Sequence, residues 1–168
     1  MKLKRRHGLQ KRRHREGKTN YQKRLRMITS RLPRFVVRKS LKNISVQLIE
    51  YSPQGDHVLC ATTTKELQKK YGWKFASRNT PAAYFAGYLM GKKAQQKNIK
   101  KAICDIGLQS ITKGSILFSC LKGAVDAGLD IPHSTELMPS ADRIQGKHLK
   151  TQIPFQEVKT KIDASTKK

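Results

Sequence analysis

The stretch R34-FVVRKSLKNISVQLIEYSPQGDHVLCAT-T63 decides the fold. It divides into three β-branched or alternating runs: RFVVRKS (34–40), NISVQLIEY (43–51) and DHVLCATT (56–63). Leu41-Lys42 and SPQGD, with Pro53 and Gly55, punctuate them as turns. Runs this close together predict an antiparallel three-stranded meander. In the second run Ile44, Val46 and Leu48 share one face, while Ser45, Gln47, Ile49 and Tyr51 share the other. Neither face is fully polar, so the reading places helices on one side and a partner on the other. In the first run Arg38 points opposite Phe35, Val37 and Lys39.

Working outward, TKELQKKYGW (64–73) reads as a short helix stopping near Gly72. NTPAAYFAGYLMGKKAQQKN (79–98) reads as a longer one, with Thr80 as N-cap and Pro81 in the first turn. Ala82, Phe85, Ala86, Leu89 and Met90 recur at helical spacing as its buried stripe, with Tyr84 and Tyr88 on another face. Gly87 and Gly91 weaken this helix unless another backbone comes close. KKAICDI (100–106) is a strand, expected parallel to its neighbour because it follows a crossover helix. SILFSCLKGAVDAG is the next helix, capped at Gly128, and Pro132 bars its continuation. A last short helix capped by Ser140 is expected within 138–149, and the tail 151–168 reads as mostly irregular. The expected fold class is α/β: an antiparallel meander followed by helix–strand–helix (β-β-β-α-β-α) in a layered mixed sheet, with a basic N-terminal arm.

The charge is unevenly spread. The chain has 168 residues, with 36 Lys+Arg against 11 Asp+Glu, a formal net charge of +25. Residues 1–34 hold 14 of the cations and one acid; residues 99–149 hold 6 and 5. Such an excess calls for a polyanionic partner, and the density of Arg, whose fork suits phosphate, favours nucleic acid over an anionic membrane. The chain divides into an arm (1–32) carrying a short helix from Asn20, a core (33–150) and the tail (151–168). The opening of the arm has almost no large apolar residue and is expected to order on contact with phosphate. Within the arm helix Tyr21, Leu25 and Ile28 share a face.

Other chemistries are weakly supported. Cys60, Cys104 and Cys120 are too far apart for a metal-binding pair and read as reduced, buried thiols. The N-terminus has no apolar core behind its charges, as a signal peptide would, and AAYFAGYLMG (82–91) is too short to span a bilayer. The strand order brings nucleases to mind, but only Asp105 is well placed for a metal, and the first strand supplies no acid. Asp105 is expected to accept hydrogen bonds from the loop after it. His133 beside Ser134 lacks a serine elbow and reads as a bonded loop histidine. TKGS (112–115), ahead of a helix, has room for one phosphate. No metal, cofactor or catalytic residue is assigned. LKGAVDAGLDIPHS (121–134), nearly neutral in so basic a chain, reads as scaffold.

Several stretches together resemble one family: TNYQKRLRMITS, PRFVVRKSLKNISVQLIEYSPQGD, YGW, NTPAAYFAGYLMGKKA, CDIGL, KGSILFSCLKGAVDAGLDIPHS and RIQGKHL. In order, over roughly residues 18–150, they are similar to the archaeal type of large-subunit ribosomal protein eighteen. The resemblance implies a non-enzymatic α/β protein with a basic arm, in the cytoplasmic large ribosomal subunit. It further implies binding to 5S rRNA and large-subunit rRNA at the central protuberance, beside the other 5S-binding protein, number five. The expected contact set is Arg12, Arg13, Arg15, Lys18, Tyr21, Arg24, Arg26, Arg31, Arg34, Arg38, Lys39 and Lys42, most of them on phosphates. The rival reading is a nucleic-acid enzyme of nuclease-like topology acting through Asp105.

Overall fold

A computed structural model describes residues 8–149 and 151–166. The meander is present as β1 (Arg34–Lys39), β2 (Ile44–Glu50) and β3 (His57–Thr63). β4 (Ile103–Asp105) joins β1 in parallel and gives the order β3-β2-β1-β4. The register sets Phe35 opposite Leu48 and Val37 opposite Val46, so the apolar residues of both strands fall on one face. Phe35, Val37, Ile44, Val46 and Leu48 have no exposed surface. β4 is shorter than the run 100–106 predicts, because Lys100 and Ala102 turn their backbone bonds to Asp130.

Two helices cover the buried face. α3 (Thr64–Tyr71) follows β3 directly and stops at Gly72, whose φ of 67° closes the helix. α4 (Thr80–Gln96) is the centre of the molecule, packed between the sheet and every later helix. Its cap is Asn79, one residue before the expected Thr80; the Asn79 side chain accepts from the Ala82 amide at 2.9 Å. The expected single stripe is also corrected. Residues 80–91 are all buried, the tyrosines included. Tyr84 donates to Asp126 at 3.0 Å and Tyr88 to Asp163 at 2.8 Å, which satisfies both hydroxyls at the edge of the core.

α5 (Ile116–Asp126) lies against α4 at backbone distance. A Cβ on Gly87 would sit 1.8 Å from the Cys120 carbonyl oxygen, and one on Gly123 would sit 2.0 Å from that of Tyr84. The glycines that weaken the isolated helix are what lets the two helices touch. α5 ends as expected: Gly128 takes φ 97°, and Leu129 donates back to Ala124. Leu129 and Ile131 then insert into the core, and the His133 ring bonds the Ile131 carbonyl at 2.7 Å. The neutral stretch 121–134 is therefore scaffold.

A short 3₁₀ turn (Thr135–Leu137) and α6 (Ala141–Gln145) lead to α7 (Phe155–Thr166). This last helix corrects the expectation of a mostly irregular tail. Phe155, Val158 and Ile162 are spaced to face one side; Val158 and Ile162 are buried, and the Phe155 ring lies 4.7 Å from that of Phe85. At the opposite edge, Lys93 of α4 and Lys97 just after it donate to the Ala61 and Leu59 carbonyls of β3, at 3.0 and 2.5 Å.

Candidate nucleic-acid interface

The other face of the sheet meets the basic arm. Alternation along β1 puts Arg34, Val36 and Arg38 there, opposite Phe35 and Val37. The basic arm forms α1 (Arg12–Arg15) and α2 (Tyr21–Thr29), and residues 1–7 of the expected arm lie outside the described residues. Asn20 caps α2 by accepting from the Lys23 amide at 3.0 Å. α2 lies over the β1 side of this face, so part of the surface reserved for a partner is covered by the chain's own arm. The side of α2 that lines the resulting cleft is Asn20, Lys23, Arg24 and Met27. Of the expected apolar face, Tyr21 and Ile28 are half-buried and Leu25 remains 66% exposed.

Five charged groups join arm, sheet and loop. Arg24 meets Asp56 at 2.8 Å, Asp56 meets Arg34 at 2.6 Å, and Arg34 meets Asp105 at 3.1 Å. Arg38 completes the series on the other Asp105 oxygen at 3.1 Å and also donates to the Asp105 carbonyl. Asp105 accepts from the Gly107 amide at 2.8 Å, the loop bond expected of it. Gly107 has φ 67°, and a Cβ there would lie 3.1 Å from the Arg38 guanidinium carbon, so glycine gives Arg38 its place.

These contacts revise the expected contact set. Arg34 is only 5% exposed, with its guanidinium held by two carboxylates, so it belongs to the interior and not to a phosphate surface. Arg24 and Arg38 are partly engaged in the same series. Arg12, Arg13, Arg15, Lys18, Arg26, Arg31, Lys39 and Lys42 are exposed. Among them Arg12 and Lys18 share Glu16, and Arg13 donates to Thr19. Tyr21 is half-buried, with the Lys11 ammonium 4.9 Å above its ring and the His14 ring edge-on at 6.2 Å. Within TKGS the Gly114 and Ser115 amides donate to the Leu137 and Thr112 carbonyls.

Sequence reasoning missed Asp56, which it left flanking a surface turn, and Lys23, which donates to the Gly107 carbonyl at 3.4 Å. No local signal marks Asp56, because its partners lie 22 and 32 residues away.

The geometry bears on the enzyme reading as well. Asp105 is 4% exposed, and two arginines and an amide already take up its oxygens. Among the described residues no three His, Cys, Asp or Glu side chains are grouped to share a metal ion. Cys60 and Cys120 are buried as expected, whereas Cys104 is only half-buried, on β4 at the edge of the core. Burial, with Asp105 nearby, pushes Cys104 up to about 11, and burial pushes Cys120 further up. No described helix is long and apolar enough to cross a membrane.

An α/β scaffold whose central carboxylate is committed to arginines, beneath a cation-covered arm, has the make-up of a binding protein for a polyanion. Comparison with known proteins identifies which kind. The profile of the family described as "Ribosomal large subunit proteins 60S L5, and 50S L18" matches residues 5–101 and 92–134. The large ribosomal subunit protein uL18 of Caldivirga maquilingensis is 50% identical over 138 residues, covering 82% of this chain and 67% of that one. The uL18 protein of Korarchaeum cryptofilum is 49% identical over 138 residues, covering 82% and 70%. The chain belongs to this family, in its archaeal form. It is a structural protein of the cytoplasmic large ribosomal subunit that associates with rRNA, and not an enzyme.

Proposed function

We propose that this protein binds 5S rRNA and helps attach it to the large-subunit rRNA at the central protuberance, next to the other 5S-binding protein, number five. The observation that carries the reading is the density of exposed cations in the arm, where residues 1–34 hold 14 Lys+Arg against one acid. Exposed cations run from α1 through α2 and resume at Lys39, the end of β1, and Lys42 on the β1–β2 turn, while 121–134 is nearly neutral. Residues 1–32 serve as the gripping arm and 33–150 as the domain that holds it. Arg12, Arg13, Arg15, Lys18, Arg26, Arg31, Lys39 and Lys42 contact phosphates directly, and Tyr21 lies among them. Arg24 and Arg38 act by fixing the arm and the loop after β4. Phosphate contacts position the protein, and RNA shape and unpaired bases supply the preference for 5S rRNA.

The test is binding to 5S rRNA against a tRNA of similar charge over a salt series. A 5S preference that persists at high salt supports the reading. Equal binding that collapses with salt refutes it, since the arm would then be no more than a polycation.

A further inference from the structure

The arm and the sheet enclose a cleft of about 450 Å³, in the size range of pockets that bury a small organic ligand and larger than a phosphate alone needs. Its parts differ chemically. Arg13, Lys18, Lys23 and Arg24 form the arm side, at the N-terminus of α2. Val36, Ile49 and Ile106 give an apolar floor, and Met27 and Leu108 stand at its sides. Arg34 and Arg38 line it too, but the two carboxylates present, Asp56 and Asp105, are already committed to them and to Arg24. Two buried polar atoms of lining residues have no partner in the protein: Arg34 Nε and Gln109 Oε1. A buried amide oxygen left unpaired costs free energy, and a ligand that donates to it recovers that cost.

Arm cations, an apolar floor and an unmet amide in one cleft match a nucleotide better than any single phosphate or apolar ligand. We infer that this cleft holds one unpaired nucleotide of the bound RNA. Its phosphate meets Lys18 and Arg13 at the head of α2, its base lies on the Val36–Ile49–Ile106 floor, and an N–H of its base edge donates to Gln109. The inference rests on the RNA-binding reading above and deepens it: the arm becomes one jaw of a base-reading site, closed by the Arg24–Asp56 pair, as well as a phosphate grip.

The test uses the full chain and three RNA hairpins. One is fully paired, one carries a single bulged nucleotide, and one carries the same bulge without its base. Burying one base against protein is expected to make the bulged hairpin bind about tenfold tighter than the abasic one, which has the same phosphates. Gln109→Leu should bring the bulged hairpin down toward the abasic level, with the melting curve as a check on folding. A 4-thiouridine in the bulge should crosslink to the peptide carrying Leu108 and Gln109. Equal binding of the bulged and abasic hairpins, or crosslinks confined to Lys39 and Lys42, overturns the cleft assignment while the RNA-binding reading stands. Failure to bind the hairpins and 5S rRNA alike overturns both.

Discussion

Replacing Asp105 by Asn takes one charge from the middle of the Arg24–Asp56–Arg34–Asp105–Arg38 series and leaves the volume unchanged. Arg34, 5% exposed, keeps Asp56 at 2.6 Å but loses its 3.1 Å carboxylate. Arg38 is 44% exposed along its side chain and can turn to water. Breaking a buried pair by removing one partner costs about 3–5 kcal/mol. With Arg34 half-retained and Arg38 rescued by solvent, the loss should fall near the low end, about 3 kcal/mol. That is a large share of the roughly 5–15 kcal/mol that holds a domain folded. Urea unfolding followed by the single tryptophan, Trp73, which is buried, reads this directly. With a slope of about 2 kcal/mol per molar, the midpoint should drop by about 1.5 M. Asp130→Asn is the control: that carboxylate is 65% exposed and 3.8 Å from Lys101, so its midpoint should barely move. An Asp105→Asn protein as stable as the wild type would refute the charge series as a structural element. If that stable protein had also lost a Mg²⁺-dependent cleavage, the nuclease reading would be restored.

Gly87→Ala should destabilise by more than about 3 kcal/mol, because the methyl group meets the Cys120 carbonyl of α5. In an exposed helix the same change stabilises by about 1 kcal/mol, so a gain measured by urea unfolding would disprove the close helix contact. Arg15→Ala or Lys42→Ala should lower the slope of log binding against log salt by about 1 each, while leaving Trp73 unfolding unchanged. Alkaline pH should weaken the fold. Burial raises the Cys104 thiol to about 11 and the Tyr88 hydroxyl to about 12, the latter helped by Asp163. Both values lie above those of the unfolded chain, so the folded state keeps protons that the unfolded state releases. Their contribution is intact below about pH 8.5 and declines as pH rises toward the folded values. A melting temperature constant from pH 8 to 10.5 would contradict this.

The fold was legible where its signals are local. Alternation gave the meander and its two faces, and Gly72 and Gly128 marked the helix ends. The parallel β4 followed from the crossover before it. α7 escaped because only Phe155, Val158 and Ile162 mark its buried side in a polar stretch, too few to betray a helix before the groove they fill is known. The all-round burial of α4 was hidden for the same reason: its tyrosines look like a separate face until Asp126 and Asp163 arrive from other elements. In the candidate interface, the sequence displayed the cations but not their employment. Arg34 and Arg38 are alike on paper, two turns of alternation apart on the same side of β1. What separates them is the arm folded over one end of that face, and the two aspartates delivered there by a turn and by β4.

The lysines that reach from the C-terminal end of α4 to β3 bear on the protein's life before it meets RNA. β3 is one of the two outer strands of the sheet, and an outer strand with free carbonyls is a template for adding another chain. Lys93 and Lys97 occupy the Ala61 and Leu59 carbonyls and bring two positive charges to that rim. A second copy approaching edge to edge must displace both and face its own like charges. The β3 edge is thereby a poor template for self-addition during the interval when the chain's large cationic excess has no counterpart.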